Sequence, residues 1–341
     1  MRAPVLFVAG LALLLSAGVP TGPAAAAPCT AAAPECARWV SMGGGARALA
    51  YATYALDARN ERVTRALVVV HGAGRNADNY FRSAVAAAFL ADALDDTIVI
   101  APRFASNDGR GCQDALASDE INWTCTGHNW RSGGPAAGNE ALTSFDVADQ
   151  ILRLLARREV FPRLAAIVVA GHSAGGQFVT RYQMANQVHD ALGVPVTYVV
   201  ANPSSYAYLD ENRPAAGFAE AARPFADRAN CTTYDRWPYG LEDRVGYSAR
   251  LTAEQLRAQL LGRPVVYLAG ELDTLPIAGF DTSCPAMAQG PSRLARAQAF
   301  TSYLAHQYGA APRFMVVPLC GHNARCMLTA DRVLPILFPR P

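Results

Sequence analysis

The chain has little net charge and no block of charges of one sign. Its 341 residues include 30 Lys and Arg and 28 Asp and Glu, which gives a formal net charge of +2 at pH 7. A balance this small gives no reason to expect nucleic acid or an acidic surface as a partner. No internal repeat is present, and 51% of the residues are hydrophobic, so the chain can form one large globular domain or two small ones.

The sequence also lacks an apolar run that is long enough to span a membrane and is followed by a charged segment. The apolar stretch from Val5 to about Val19 is short; it follows Arg2 and precedes small residues at Ala24–Ala27. A membrane anchor needs a longer run, whereas this order is typical of a secretory signal peptide. We therefore predict a signal peptide over residues 1–26, a mature chain over residues 27–341 and a secreted location, extracellular or periplasmic, with no stable membrane anchor.

Metal-ligand spacings are absent as well. The chain has eight cysteines but no Cys-x-x-Cys pair and no cluster of His and Cys with ligand spacing, so no metal site is expected. An even number of cysteines in an exported protein indicates disulfides. Eight cysteines allow on the order of a hundred connectivities. Proximity in sequence favours the pairs Cys29–Cys36, Cys112–Cys125, Cys231–Cys284 and Cys320–Cys326.

Short runs rich in Val and Ile alternate with helix-length segments along the mature chain. Such runs are typical of parallel strands that helices cover on both faces, and the alternation predicts a parallel α/β sheet. The predicted strands are Ala66–Val70, Thr97–Ala101, Ala165–Ala170, Val196–Ala201, Val265–Ala269 and Phe314–Pro318. The predicted helices are Ser144–Arg158, with Ser144 as its cap, Ala174–Val188 and Ser292–Tyr308.

Two stretches break this alternation. Residues 103–139 are rich in Gly, Asn, Asp and Trp, and residues 202–262 carry several Tyr and Trp. Long irregular segments in compact domains are usually functional loops or lids. We therefore predict that both stretches are insertions in a single domain. Five of their aromatic residues either line a substrate pocket or pack the loops onto the body: Trp123, Trp130, Tyr206, Tyr208 and Trp237.

The sharpest motif is Gly171-His172-Ser173-Ala174-Gly175, which follows a predicted strand directly and precedes a predicted helix directly. This strand–turn–helix setting is what a nucleophile elbow requires. An elbow holds its serine at a strained, positive φ so that Oγ projects from the sheet, and small neighbours avoid a clash there. The motif therefore predicts Ser173 as a nucleophile rather than as part of a plain glycine turn.

A serine hydroxyl needs a base that accepts its proton and an acid that orients the base. His322 follows the last predicted strand and Asp273 follows the strand before it, so the order along the chain is Ser, Asp, His. Glu271 and Asp281 are rival acids in the same loop, and the other five histidines are weaker candidates for the base. The sequence thus predicts a triad of Ser173, His322 and Asp273.

Acyl transfer also needs backbone donors for the oxyanion of the tetrahedral intermediate. The amide of Ala174, at the helix start after the nucleophile, is one candidate. The second should come from the loop after an earlier strand, where His71-Gly72-Ala73-Gly74 stands. The amides of Ala73 and Gly74 are the candidates there, with that of Gly72 as an alternative. A phosphate loop is not predicted, because Arg75-Asn76 stands where the Lys-Ser/Thr ending is required.

These motifs resemble the α/β-hydrolase superfamily. Strand–His-Gly-x-Gly, Gly-His-Ser-Ala-Gly-Gly, Gly-x-x-Asp and Gly-His occur in its order and spacing, from about Arg65 to Pro335. The signal peptide, the extra cysteines and a Trp-containing loop make the chain most similar to secreted esterases of the feruloyl-esterase and polyhydroxyalkanoate-depolymerase-like branch. The resemblance implies an α/β-hydrolase fold, with a mostly parallel twisted sheet flanked by helices, and an acyl-enzyme mechanism that needs no metal or organic cofactor.

The expected function is therefore hydrolysis of a carboxylic ester, either a small molecule or a polymer. Two alternatives stay open. A serine peptidase of the prolyl-oligopeptidase type shares the Gly-x-Ser-x-Gly-Gly elbow, but it usually carries a large extra N-terminal domain for which this chain has no room. A non-catalytic binding protein on the same fold would be expected to have lost triad members, and all three positions are filled here.

Overall fold

A computed structural model of the protein describes residues 27–126, 130–214, 222–277 and 279–340. The predicted signal peptide lies outside these residues. The strands are β1 (Ala37–Gly43), β2 (Ala46–Ala52), β3 (Arg65–Val70), β4 (Thr97–Pro102), β5 (Pro135–Ala136), β6 (Asn139–Thr143), β7 (Ala166–His172), β8 (Val196–Ala201), β9 (Asn212–Arg213), β10 (Arg223–Pro224), β11 (Val265–Gly270) and β12 (Arg313–Val317). The α-helices are α1 (Ala77–Leu90), α2 (Ser144–Leu155), α3 (Ala174–Ala185), α4 (Ala253–Gly262), α5 (Cys284–Met287), α6 (Arg293–Tyr308), α7 (Ala324–Thr329) and α8 (Leu334–Leu337).

Eight of these strands form one sheet, in the order β1-β2-β4-β3-β7-β8-β11-β12. The pairs β1–β2 and β2–β4 are antiparallel, and every other neighbouring pair is parallel. The predicted α/β-hydrolase architecture, a mostly parallel sheet flanked by helices, is therefore confirmed. The strands β3, β7, β8, β11 and β12 run in the same direction. The loops that follow them therefore all lie at the end of the sheet where these strands have their carboxyl termini.

The core lies on both faces of the sheet because successive residues of a strand point to opposite sides. In β3, Val68 and Val70 pack into the larger hydrophobic cluster, which also contains residues of α2, α3, α4 and α6. Leu67 and Val69 pack into a second cluster with residues of α1, α7 and α8. Burial on both faces is the reason why the predicted strands are continuously apolar rather than alternating.

Every predicted strand and helix is present, but several ends differ. Pro318 lies just beyond β12. Thr143, not Ser144, is the N-cap of α2: its hydroxyl accepts from the Asp146 amide, and the Asp146 carboxylate accepts from the Thr143 amide. Helix α3 ends at Ala185 because the carboxamide of Asn186 accepts from two following amides and ends the turn.

The two predicted insertions are less irregular than expected. Residues 103–139 contain a short 3-10 helix, Trp130–Ser132, and residues 202–262 end in α4, which packs on the core through Leu256 and Leu260. The five aromatic candidates for a substrate pocket are all buried, and their packing anchors the loops to the body: Trp123, Trp130, Tyr206, Tyr208 and Trp237. Within the described ranges, no helix combines the length and the apolarity that crossing a membrane requires.

Candidate active site

Ser173 occupies the turn between β7 and α3. Its backbone has φ 61° and ψ −120°, a conformation that L-residues rarely adopt. The turn is tight enough to require glycine on both sides. A Cβ on Gly171 would lie 2.2 Å from the carbonyl oxygen of Gly175, and a Cβ on Gly175 would lie 2.1 Å from that of Val70. The motif thus forms the strand–turn–helix that the sequence predicts, with the serine side chain at the carboxyl edge of the sheet.

The three residues of the predicted triad lie in one hydrogen-bonded chain. His322 Nε2 is 2.9 Å from Ser173 Oγ, and His322 Nδ1 is 2.8 Å from Asp273 Oδ2. An ionised carboxylate can only accept, so Nδ1 carries the proton and Nε2 is left to accept from the serine hydroxyl. The loops after β7, β11 and β12 bring these residues together across 149 positions of sequence.

Asp273 is held by more groups than the sequence analysis identified. Its carboxylate also accepts from the side-chain amide of Asn202, directly after β8, and lies 3.4 Å from Nη1 of Arg293, the first residue of α6. Burial by itself would raise the pKa of Asp273, but the hydrogen bond and charge of His322, the hydrogen bond of Asn202 and the charge of Arg293 lower it below its ordinary value. The acid is therefore ionised at neutral pH.

Arg293 forms a buried ion pair with Asp273. Both side chains are almost inaccessible to solvent, with exposed fractions of 0% and 1%. Arg293 Nε donates to Ser204 Oγ at 2.8 Å, and Nη1 donates to the carbonyl of Ile277 at 2.9 Å. Burial lowers the pKa of Arg293, and the Asp273 carboxylate opposes that shift. The guanidinium thus connects α6 to the loop that carries the acid.

The loop after β3 lies against Ser173. A Cβ on Gly72 would lie 3.7 Å from the Ser173 Cβ. The amides of Ala73, Gly74 and Ala174 have no acceptor within the described part of the chain. These three amides are therefore free to donate to an oxyanion, as the sequence analysis predicts; the choice between Ala73 and Gly74 stays open.

His71 holds that loop in place. Its Nε2 accepts from the Phe104 amide at 3.0 Å, so its Nδ1 carries a proton and donates to the carbonyl of Gly72 at 2.9 Å. Burial lowers the pKa of His71 to about 4, which keeps the ring neutral at physiological pH. Because both ring nitrogens of this neutral histidine are hydrogen-bonded, the side chain fixes the position of the loop after β3 relative to the loop after β4.

The rival acids and most rival bases have partners elsewhere. Glu271 accepts from the Leu319 amide at 2.8 Å, and Asp281 accepts from the Tyr239 hydroxyl at 2.7 Å. His306 contacts Ser302 within its own helix, and His189 contacts Tyr198 of β8. His128 lies outside the described residues.

His172 is the exception among the rival bases, because it lies beside the triad. Its ring centroid is 4.7 Å from that of His322, and its Nδ1 is 3.0 Å from the Tyr80 hydroxyl. Burial, followed by the charge of His322, lowers the pKa of His172 to about 3. A histidine that stays neutral at neutral pH and does not contact the serine hydroxyl is a poorer candidate for the base than His322, the predicted one.

A cleft of about 560 Å³ opens above Ser173. Its walls come from the loop after β3, the first turns of α1, the elbow, Gly279 and the segment from His322 into α7. Within the described ranges, no group of three or more His, Cys, Asp and Glu side chains could hold a metal ion. The cleft therefore contains the Ser173 hydroxyl, the His322 ring beside it and the loop after β3 with its unbonded amides.

All eight cysteines form disulfides, in the four pairs that proximity favours: Cys29–Cys36, Cys112–Cys125, Cys231–Cys284 and Cys320–Cys326. The last pair brackets His322. The loop that it closes is short, with a sequence separation of 6, and the side chain of Asn323 accepts from the Cys326 amide at 3.0 Å within it. His322, the predicted base, is therefore carried by a covalently closed loop.

Opening this disulfide is expected to lower both stability and turnover. Closing so short a loop contributes roughly 2 kcal/mol to the free energy of unfolding, and in the Cys320→Ser/Cys326→Ser variant the imidazole loses its anchor. Thermal unfolding and kcat for an aryl ester measure the two effects. The matched control is Cys29→Ser/Cys36→Ser, which opens a loop with a separation of 7 beside β1, at the opposite edge of the sheet. It should lose similar stability with a much smaller loss of kcat; equal kcat losses in the two variants would contradict the anchoring role.

The comparisons with known proteins agree with this fold. The sequence model of the Alpha/beta hydrolase family matches residues 67–335. The chain therefore belongs to this family of hydrolases. No curated protein sequence matches the chain.

Two solved structures are similar over most of the chain. One is LpqC, a poly(3-hydroxybutyrate) depolymerase from Bordetella parapertussis, with 23% sequence identity and a TM-score of 0.61 over 89% of this chain and 91% of that chain. The other is poly(aspartic acid) hydrolase-1 from Sphingomonas sp. KT-1, with 24% identity and a TM-score of 0.59 over 88% of this chain and 97% of that chain. At these identities the likeness establishes the fold.

Proposed function

We propose that the protein is a secreted serine hydrolase that cleaves carboxylic esters through Ser173, His322 and Asp273. The observation that carries the proposal is the hydrogen-bonded chain from the serine through the imidazole to a buried, ionised carboxylate, with distances of 2.9 and 2.8 Å, at the floor of an open cleft. The free amides of Ala174 and of Ala73 or Gly74 support it, since they can receive the oxyanion.

The reaction runs in two halves. Ser173 Oγ forms a bond to the ester carbonyl carbon while His322 Nε2 takes its proton, and the carbonyl oxygen becomes an oxyanion that the backbone amides bind. The bond to the leaving oxygen then breaks, and His322 returns the proton to the departing alcohol. In the second half, water replaces the alcohol and releases the acid product and the free serine. Asp273 keeps the imidazole in the required tautomer and stabilises its charged form.

Secretion and the single domain are parts of the same proposal. We propose that residues 1–26 are removed on export and that residues 27–341 form one hydrolase domain. Four disulfides that use every cysteine support an oxidising compartment, because disulfides are rare where glutathione keeps thiols reduced.

The substrate is proposed to be an ester, small or polymeric. One similar structure is named as a depolymerase of poly(3-hydroxybutyrate), a polyester, which makes a polyester a reasonable member of the first substrate panel. The other is named as a hydrolase of poly(aspartic acid), whose monomers are joined by amide bonds. A peptide bond is the competing substrate, since the same triad chemistry can cleave amides.

The test uses the protein that a host exports when it expresses the full chain. Its mass is expected to correspond to a start near residue 27, and it is expected to hydrolyse 4-nitrophenyl acetate and butyrate and to react once with a fluorophosphonate at Ser173. Peptide 4-nitroanilides, which have an amide in place of the ester and a peptidyl acyl group, should be cleaved much more slowly. Hydrolysis of the anilides alone would favour the peptidase. No turnover and no labelling would favour the binding protein.

A further inference from the structure

The cleft above Ser173 is lined by polar groups but by no carboxylate within the described residues. Arg325 is the one permanently charged side chain among its lining residues there. The side-chain amides of Asn76, Asn79 and Asn323 line the same space. These groups are hydrogen-bond donors, or contain donors, and no negative charge on the walls balances the guanidinium. The cleft therefore has the wrong chemistry for a cationic substrate and the right one for an anionic substrate.

The backbone of Arg325 is held in place, but its charge has no partner among the residues that the structure describes. It lies in the first turn of α7, one residue before the disulfide-bonded Cys326, and Asn323 caps the same turn. Its side chain is exposed, and its guanidinium makes no hydrogen bond or ion pair with any residue that the structure describes. Its backbone position is thus fixed relative to His322, three residues earlier, while its cation is available.

The two arginines in and just before the first turns of α1 do not line the cleft, and carboxylates already neutralise them. Arg82 pairs with Asp78 in α1, and Arg75 pairs with Asp114 at 2.7 Å. The first turn of α1, a helix of 14 residues, also faces the cleft through Asn76 and Asn79, and the N-cap Asn76 makes no side-chain capping bond. A helix N-terminus carries partial positive charge. The potential in the cleft is therefore positive from both sides.

A buried ring nitrogen in the same wall points to a polar ligand independently of Arg325. The Tyr80 hydroxyl lies 3.0 Å from Nδ1 of His172, so that ring nitrogen already has a partner. His172 lines the cleft with only 2% of its surface exposed, and its Nε2 has no hydrogen-bond partner among the described residues. A buried polar atom of this kind calls for a polar atom from a bound molecule.

We propose that the cleft binds esters that carry a carboxylate a few bonds from the scissile carbonyl, with Arg325 as the specificity-determining residue. The inference rests on the proposed function and narrows its substrate class. A guanidinium binds a carboxylate through two parallel hydrogen bonds, which fixes orientation as well as charge. Because the disulfide fixes α7 relative to the base, the bound carboxylate positions the ester against Ser173.

The test compares two substrates that differ only in this charge. One is the mono-4-nitrophenyl ester of adipic acid; the other is the same ester with the free acid converted to its primary amide. At low ionic strength, wild type is expected to have a kcat/KM about tenfold higher for the acid than for the amide, after subtraction of the spontaneous rates. Added salt should reduce this ratio, because the charge pair is exposed.

Three variants locate the effect. In Arg325→Gln the ratio should fall to about one, and in Arg325→Lys part of the preference should return. Arg332→Gln removes the same charge from an exposed position outside the cleft and should keep the wild-type ratio. A wild-type ratio near one, or an unchanged ratio in Arg325→Gln, would overturn the inference while leaving the proposed function intact. Failure of wild type to cleave either ester would overturn both.

Discussion

Replacing Ser173 with alanine is expected to lower kcat/KM for 4-nitrophenyl butyrate by at least about 10³-fold. The change removes the attacking oxygen and leaves the free backbone amides in place, so a small residual rate over water should survive. Stability should change little, because the elbow backbone is imposed by Gly171 and Gly175 rather than by the hydroxyl. Initial rates and a thermal melt measure the two quantities.

A second serine in the same cleft serves as the matched control. Ser83 lines the cleft from α1, and its hydroxyl donates to the Asn79 carbonyl within its own helix. Ser83→Ala removes an equivalent oxygen that has no base beside it, so its loss of rate should be far smaller. Equal activity of wild type and the Ser173→Ala variant would show that a different residue is the nucleophile.

Replacing Asp273 with asparagine is expected to damage both catalysis and the fold. The amide cannot hold His322 in the tautomer that leaves Nε2 free to accept, so kcat should fall by about 10³- to 10⁴-fold. Arg293 would also keep its charge in a site with no solvent and no counter-charge. Breaking a buried ion pair by removing one partner costs about 3 kcal/mol or more, which denaturant unfolding at neutral pH would detect.

The pH dependence of stability separates the two roles of Asp273. Because its pKa in the folded protein is below the ordinary value of 3.8, its ionised form stabilises the fold above that value, and the contribution is lost as the pH falls through the folded pKa. On acidification, wild type should therefore lose the stability that the ionised Asp273 carboxylate contributes. The Asp273→Asn variant lacks this contribution at every pH, so acidification should lower its stability less. Parallel pH curves for the two proteins would contradict the ion-pair account.

Glu271→Gln is the control for this substitution. Glu271 is two residues away in the same loop, but its carboxylate accepts from the Leu319 amide and does not contact His322. The exposed carboxylate has no buried counter-charge, so its removal should change stability and kcat only slightly. A larger loss of kcat in this variant than in Asp273→Asn would reassign the acid.

The elements that the sequence predicts well are those whose signal is local. Most of the predicted strands are recognisable because both of their faces are buried, so hydrophobicity is continuous over five or six residues; the edge strand β12 is only partly buried. Helix α1 and strands β1 and β2 were not predicted. Helix α1 is rich in alanine and ends with exposed Phe89 and Leu90, which removes the one-sided pattern by which a helix is recognised. Strands β1 and β2 form the antiparallel edge of the sheet, where burial is uneven.

The groups around the acid illustrate what local patterns miss. Asn202 could have been found, since it directly follows a predicted strand at the edge where Ser173, Asp273 and His322 also lie. Arg293 could not, because an arginine at the start of a helix is normally exposed, and nothing nearby in sequence indicates that its guanidinium is buried against a carboxylate 20 positions away.

The sequence by itself determined the fold class and the glycine-flanked turn at Ser173; it also predicted the order of the three triad residues and favoured, by proximity alone, the four cysteine pairs. Each of these depends on spacing along the chain: glycines that a tight turn requires, polar residues after strands, and cysteines close enough to bridge. The tertiary structure decided the contacts between distant segments, including the Arg293–Asp273 pair, the Tyr80–His172 bond across 92 positions and the place of Arg325 in the cleft. Such contacts depend on how the loops at one edge of the sheet pack against each other, and that packing leaves no periodic pattern in the sequence.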